Sequence, residues 1–305
     1  MLKIKQILCP VDFSSISIRA YRHALSLAEH YQANLVAMHV VELWRHPSAS
    51  YAASAADLRT FYEGLDMSGL ERLQEFVKMH THDEVRPELL VERGMAPDQI
   101  LSSAQAMRPD IIVMGTHGHR GFDRLVLGST TDRVMRTAPC PVLAVPPEDS
   151  MEAGEDSHHV RRLKRILLCT DFSANSADAF EYAISVAAEY DAELTLLHVV
   201  ETGLFGDPDE KAAPKAMEDL RQLISMKESY SALKIKTAVR FGKPYQELIK
   251  YAFEERPEIV AMGVRGRGTL DVAVFGSTTY RVTQLGPCPV LVVPFRKLGS
   301  DESVT

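Results

Sequence analysis

The chain carries one long sequence pattern twice, and this duplication limits its fold more than any other feature. The segment HVVE at His39–Glu42 recurs unchanged at His198–Glu201, and PCPVLAVP at Pro139–Pro146 recurs as PCPVLVVP at Pro287–Pro294. Matching segments lie 159 residues apart near the start of the copies and 148 apart near their ends. Solenoid repeats are much shorter, at about 20 to 50 residues. The sequence therefore predicts two homologous domains in tandem.

Chain length agrees with this division, because 305 residues suit two domains of about 100–150 residues each. We predict domains at 1–147 and 162–296, a polar linker at 148–161 and a C-terminal tail at 297–305. The first copy is longer by 11 residues between Leu43 and Gly94. A Ser/Ala-rich stretch near 46–60 accounts for them, and the sequence leaves open whether it is a lid, a partner surface or a loop.

Within each copy, short apolar runs alternate with stretches of helical spacing, which indicates an α/β fold. We predict two doubly wound domains with parallel sheets, and the unbroken apolar run at Ile111–Met114 suits a strand covered on both faces. Ser14 is a suitable N-cap for the first helix. The strands predicted in the first copy are at 5–12, 34–41, 88–92, 111–114 and 142–145, and the helices at 15–31, 61–82, 97–107 and 129–136.

Composition excludes some classes of protein. The net charge of −7 and the pI near 5.9 argue against a nucleic-acid binder with a broad basic surface. No apolar run approaches the roughly 20 residues that a membrane helix needs. The opening MLKIKQILCPVDFS lacks the pattern of a signal peptide, so we expect a cytoplasmic location.

Cysteine and histidine give little support for a metal or redox site. Cys9, Cys140, Cys169 and Cys288 form no C-x-x-C pair, and we expect them to be buried and reduced. His39 and His198 lie in apolar strands, where hydrogen-bonded core histidines are more common than ligands. The pair His117-x-His119 could bind a metal, but no third ligand is evident nearby. We therefore predict no metal site formed by protein groups alone.

The second repeated pattern carries the functional signal. GTHGHRGFDRLVLGSTT at 115–131 and GVRGRGTLDVAVFGSTT at 263–279 share the spacing G-x2-G-x9-G-S. Each follows a predicted strand, where ligands bind in open parallel sheets. The first glycines let the backbone turn and approach a ligand, and the last one opens a helix whose free amides attract anions. A tight strand-to-helix turn could use the same glycines, but their retention in both copies favours a shared constraint.

Other polar residues near these glycines have competing interpretations. Asp12 and Asp171 follow the first strand of each copy and could cap a helix, face a ribose hydroxyl or bind a metal. His117 and His119, like Arg265 and Arg267, would suit a polyphosphate. The chain has no P-loop, no G-x-G-x-x-G after its first strand and no G-x-S-x-G nucleophile motif.

These glycine patterns resemble the ATP-binding signature of the universal stress protein family. The opening ILCPVDFS and the closing PCPVLVVP also resemble that family, and nearly the whole chain is covered as two such domains. The resemblance implies a five-stranded parallel sheet per domain in the order 3-2-1-4-5. It implies ATP at the ends of the first and fourth strands, with Mg²⁺ held through the triphosphate.

The resemblance also implies the residues of each site. The first site would comprise Pro10, Val11, Asp12, Val40, Val41, Met114, Gly115, His117, Gly118, His119, Gly128, Ser129, Thr130 and Thr131. The second would comprise Cys169, Thr170, Asp171, Val199, Val200, Met262, Gly263, Arg265, Gly266, Arg267, Gly276, Ser277, Thr278 and Thr279. Cys169 stands where the first copy has Pro10, and Val11 where the second has Thr170, so the copies differ at the adenosine end.

Single-domain relatives dimerise through their last strand, so the strands at 142–145 and 290–293 could pair as an internal pseudo-dimer. A homodimer of whole chains and a protein partner stay open. Our leading hypothesis is an ATP-binding protein with a regulatory or stress-response role. The alternatives are a slow ATPase or self-phosphorylating enzyme that uses the hydroxyls at 129–131 and 277–279, and an interaction module with vestigial sites.

Overall fold

A computed structural model describes residues 3–42, 55–81, 85–117, 126–147, 163–201, 212–225, 233–264 and 276–294. The chain divides between Val160 and Arg161 into two compact units. The N-terminal unit is Lys3–Val160, and the C-terminal unit contains Arg161–Thr305. Within the described residues, no helix is long and apolar enough to cross a bilayer.

The N-terminal unit is a parallel sheet with strand order β3-β2-β1-β4-β5, as the resemblance implied. Its described strands are β1 (Gln6–Pro10), β2 (Asn34–Val41), β3 (Glu88–Arg93), β4 (Ile111–Gly115) and β5 (Val142–Val145). Its described helices are α1 (Ser15–Tyr31), α2 (Ala55–His80), α3 (Ala96–Met107) and α4 (Ser129–Thr137).

The C-terminal unit repeats this order as β8-β7-β6-β9-β10, again with parallel pairs. Its described strands are β6 (Arg165–Cys169), β7 (Glu193–Glu201), β8 (Ile235–Gly242), β9 (Ile259–Gly263) and β10 (Val290–Val293). Its described helices are α5 (Ala174–Tyr190), α6 (Ala212–Ser225), α7 (Pro244–Glu255) and α8 (Ser277–Leu285).

The sheet interior explains why the strand sequences are almost continuously apolar. Ile7, Leu8 and Cys9 in the central strand β1 are completely buried, because helices pack on both faces of a doubly wound sheet. All four cysteines are buried and free, as predicted. Strand order reverses between β1 and β4 and between β6 and β9, which places a crevice at the carboxyl ends of these strands.

Helix α2 corrects the prediction for the Ser/Ala-rich stretch. We predicted a helix from residue 61, but α2 begins at Ala55, so the last part of the 46–60 stretch is helical. The segment AADLRT contains alanine, leucine and arginine, which are strong helix formers. Residues 43–54 lie outside the described part of the chain, and the role of that stretch stays a prediction.

Serine side chains start the first helix of each unit. The Ser17 amide donates to the Ser14 hydroxyl at 3.2 Å, and the Ser176 amide donates to the Ser173 hydroxyl at 3.3 Å. The predicted N-cap at Ser14 is therefore confirmed. Both helices begin at the crevice, because each directly follows the strand at the centre of its sheet.

Candidate functional site

The acid after the first strand of each unit shapes the turn into the next helix. Asp12 Oδ1 accepts hydrogen bonds from the Ser14 amide at 3.1 Å and the Ser14 hydroxyl at 2.6 Å. Asp171 Oδ1 accepts from the Ser173 amide at 3.0 Å. These contacts support the helix-start interpretation, because they hold each capping serine in place. The ribose contact stays a prediction, and both carboxylates are half-buried at the crevice.

The residue after each acid has an unusual backbone that sequence analysis missed. Phe13 and Phe172 have φ of 66° and 60°, a left-handed conformation that costs a bulky residue about 1–3 kcal/mol. Their rings lie 4.4 Å from His39 and 4.5 Å from His198 between centroids. His39 Nδ1 donates to the Val11 carbonyl at 2.9 Å, and the matching distance in the other unit is 2.8 Å. The two histidines are hydrogen-bonded as predicted, and they fix the loops that border the crevice.

The first glycine of each pattern is required by packing. A Cβ atom at Gly115 would lie 2.6 Å from Ile16 Cγ2, and one at Gly263 would lie 2.7 Å from the Asn175 carbonyl oxygen. The strand end therefore touches the first turn of α1 or α5. The Cβ direction of Gly115 faces Ile16, and the predicted approach of the Gly115 backbone to a ligand stays a prediction.

The third glycine of each pattern precedes a helix whose first backbone amides have no partner inside the helix. Gly128 and Gly276 are the N-cap residues of α4 and α8, and no side chain caps either helix within the described regions. The first hydrogen bond within α4 runs from the Asp132 amide to the Gly128 carbonyl at 2.9 Å. The amides of residues 129–131 precede it and have no partner inside the helix. Because the helix dipole is positive at this end, these amides form a suitable anion site.

The hydroxyls that follow these glycines have two different roles. Thr131 donates to the Gly115 carbonyl at 2.7 Å, and Thr279 donates to the Gly263 carbonyl at 2.9 Å. Both threonines are buried, so their hydroxyls join the helix to the end of the strand. Ser129 and Ser277, in contrast, are exposed beside the open amides. The first hydroxyl of each triplet is therefore the most exposed, while Thr130 and Thr278 between the two are half-buried.

His117 is buried, and its predicted contact with a phosphate stays a prediction. Only 5% of its surface is exposed, and Nδ1 lies 2.9 Å from the Thr116 hydroxyl. Burial lowers the pKa of His117, and a weaker opposing effect comes from the Val126 backbone. Burial therefore disfavours the charged imidazole in the absence of a ligand.

The buried imidazole predicts a specific loss of stability in acid. The pKa of His117 lies below the value near 6.5 expected in the unfolded chain, so only the unfolded state gains a proton as pH falls through 6.5. We expect this histidine to lower the stability of the N-terminal unit as the pH falls through 6.5. His117→Gln should remove that part of the pH dependence, measured by hydrogen exchange of β1 amides. An unchanged slope would contradict the assignment.

The described apolar residues of the two predicted sites lie at the ends of the expected strands. In the N-terminal unit, Pro10 and Val40 are half-buried, while the buried ones are Val11, Val41 and Met114. In the C-terminal unit, Val200 is half-buried, and the buried members of the site are Cys169, Thr170, Val199 and Met262. Five predicted site residues lie outside the described residues: Gly118, His119, Arg265, Gly266 and Arg267.

Within the described ranges, no group of three or more His, Cys, Asp and Glu could hold a metal ion.

Comparison with known proteins identifies the family of this chain. The model of the universal stress protein family matches residues 3–146 and 162–294. The chain belongs to the universal stress protein family. Its two units each account for one match, so this universal stress protein is a tandem member.

Individual relatives of this universal stress protein agree with the tandem arrangement. One in Methanocaldococcus jannaschii is 33% identical over 141 residues, which cover 46% of this chain and 81% of the relative. One in Mycolicibacterium smegmatis is 27% identical over 300 residues and matches 94% of this chain and 96% of its own length. A solved universal stress protein from Archaeoglobus fulgidus has a TM-score of 0.72 at 20% identity, covering 97% of this chain and 100% of that one. That structural likeness supports the fold.

Proposed function

We propose that this universal stress protein binds ATP at one site in each unit and has a regulatory or stress-response role. The main support for the proposal is the pair of helix N-termini that follow Gly128 and Gly276, whose first backbone amides have no partner inside the helix. One lies in each unit, at the carboxyl end of the strand beside the central one, within the same glycine spacing. A helix start of this kind suits phosphate, because its amides donate hydrogen bonds and its dipole attracts negative charge.

The other residues of the crevice are suited to the rest of a nucleotide. The Asp12 and Asp171 carboxylates are half-buried where a ribose would lie in a doubly wound fold. Pro10 and Val40, or Val200 in the C-terminal unit, offer partly exposed apolar surface to a base. Mg²⁺ would reach the site through the triphosphate, because that ion usually binds through substrate phosphates.

Geometry favours binding over catalysis. Self-phosphorylation would use the exposed hydroxyl of Ser129 or Ser277, and a hydroxyl nucleophile is activated by a neighbouring base. Ser129 and Ser277 are exposed, and the chain lacks the P-loop and nucleophile motifs that accompany such chemistry. We therefore rank a slow ATPase or self-phosphorylating enzyme second. A module with vestigial sites ranks third, because the helix starts are retained in both units.

Equilibrium binding tests the proposal directly. Titration of the folded full chain with ATP and Mg²⁺ should show up to two nucleotides per chain. Mass spectrometry of the material released on denaturation should identify any adenine nucleotide that copurifies. Phosphate release measured in the same samples separates binding from hydrolysis. A folded chain that binds no ATP would overturn the proposal.

We extend the proposal to assembly and location. The apolar strands β5 and β10 end the strand order of their units, and edge strands of this kind need cover. Pairing between them would make an internal pseudo-dimer. Analytical ultracentrifugation with and without ATP would reveal a homodimer of whole chains.

Four buried free cysteines agree with the reducing cytoplasm.

A further inference from the structure

The two units differ at the second residue of the helix that follows the central strand. Ile16 and Asn175 are the second residues of α1 and α5, and each follows the same Asp-Phe-Ser sequence. Both lie against the glycine that ends the neighbouring strand, because a Cβ at Gly263 would be 3.2 Å from Asn175 Cβ. The glycine at the end of the strand is therefore packed against an amide-bearing residue in the C-terminal unit and against an aliphatic residue in the N-terminal unit.

The Asn175 amide has an unsatisfied hydrogen-bonding atom. Asn175 Oδ1 is buried and has no hydrogen-bond partner. A buried acceptor without a partner costs about 1–3 kcal/mol, and nearly all buried polar atoms in folded proteins are paired. Aliphatic Ile16 fills the equivalent place without this cost. Packing alone therefore gives no reason for an amide at residue 175, whereas a ligand that donates a hydrogen bond does.

We propose that Asn175 is a specificity-determining residue that hydrogen-bonds a sugar hydroxyl of the nucleotide bound in the C-terminal unit. The N-terminal site, with Ile16, lacks this contact and discriminates less between ribose and deoxyribose. This inference rests on the proposed function, because it concerns the same site.

Position and chemistry both favour the sugar. Asn175 is the second residue of α5, four residues after Asp171, and it packs against Gly263 at the end of β9. A sugar bound between a base at the end of β6 and phosphates at the start of α8 would lie near this residue. Phosphate oxygens at neutral pH offer no proton to Oδ1, but a hydroxyl does. An amide rotated end for end would present Nδ2, and a hydroxyl pairs with either atom because it both donates and accepts.

The test measures the C-terminal site alone. Ser129→Glu closes the N-terminal site by placing a carboxylate beside its phosphate amides. In this background, titration compares ATP with 2′-deoxy-ATP and 3′-deoxy-ATP. We expect one deoxy analogue to bind about 3- to 10-fold more weakly than ATP, as loss of one neutral hydrogen bond predicts. Asn175→Ile should bring this ratio close to one, and Asn175→Ala serves the same purpose with a smaller side chain if isoleucine does not fit.

A reciprocal variant provides the matched control. In a Ser277→Glu background, Ile16→Asn should raise the preference of the N-terminal site for ATP over the same deoxy analogue. The inference is overturned if Asn175→Ala folds, binds ATP and keeps the full deoxy penalty. It is also overturned if Asn175 variants change only the ratio of ATP to inosine triphosphate, because the amide would then contact the base. Absence of ATP binding in every background would instead reject the proposed function.

Discussion

Ser129→Glu should weaken ATP binding to the N-terminal unit by roughly 100-fold while the unit stays folded. Ser129 is exposed and is the first residue of α4, so we expect a longer side chain to fit without displacing any described residue. Its carboxylate would occupy the position of a phosphate at the open amides. Two unit charges about 5 Å apart repel by about 3 kcal/mol at an effective dielectric constant near 20, which is a factor of roughly 100 in affinity.

The same substitution should leave helix stability unchanged or slightly raised. A negative side chain at a helix N-terminus interacts favourably with the dipole, by about 0.3–1 kcal/mol. Loss of binding together with an unchanged or higher melting temperature would therefore separate a ligand effect from unfolding. A change that lowered both stability and affinity would leave the phosphate interpretation of this helix start unsupported.

Matched variants make the result quantitative. Ser277→Glu should affect only the C-terminal unit, so calorimetric titration should count two nucleotides for the wild type, one for each single variant and none for the double variant. Ser129→Ala removes the hydroxyl without adding charge, and we expect it to weaken binding by less than about 10-fold, as for one neutral hydrogen bond. Equal effects of alanine and glutamate would contradict the electrostatic argument.

Sequence periodicity predicted most of the fold because strands and helices have different apolar spacings. The bounds of α1 and β2 follow from the sequence alone. Strand order came from the family resemblance, since periodicity does not specify which strands are neighbours. The start of α2 was missed because Ser/Ala-rich segments show little amphipathic pattern, even when their residues favour helices.

The candidate site was predictable where it depends on local chain geometry. Glycine spacing located the helix starts at Gly128 and Gly276, because a strand, a turn and a helix follow one another in sequence. The burial of His117 and the left-handed backbone of Phe13 depend on side chains from other elements. The sequence Asp-Phe-Ser occurs in both copies and could have drawn attention to Phe13. It does not by itself predict a left-handed backbone.

Gly263→Ala should destabilise the C-terminal unit by about 3 kcal/mol, whereas Gly115→Ala should cost the N-terminal unit only about 1 kcal/mol. The added methyl at Gly263 would lie 2.7 Å from a backbone oxygen, that of Asn175, so the first turn of α5 must shift. At Gly115 the closest atom is the side-chain methyl Ile16 Cγ2, at 2.6 Å, and a small tilt of one side chain costs less than a shift of the backbone. Hydrogen exchange of strand amides in each unit, without nucleotide, measures the two costs separately, because a chain of two units need not unfold in one step.

A second substitution distinguishes these two kinds of contact. Ile16→Ala removes the methyl that Gly115→Ala would meet, so the double variant should be more stable than the sum of the single effects predicts. Asn175→Ala leaves the carbonyl oxygen in place, so it should not rescue Gly263→Ala. Rescue in both units would show that the clash at Gly263 involves the side chain. Rescue in neither would show that both glycines are needed for the backbone itself. Only rescue confined to the N-terminal unit agrees with the contacts in the structure, and it would mean that the same glycine is held by different constraints in the two copies.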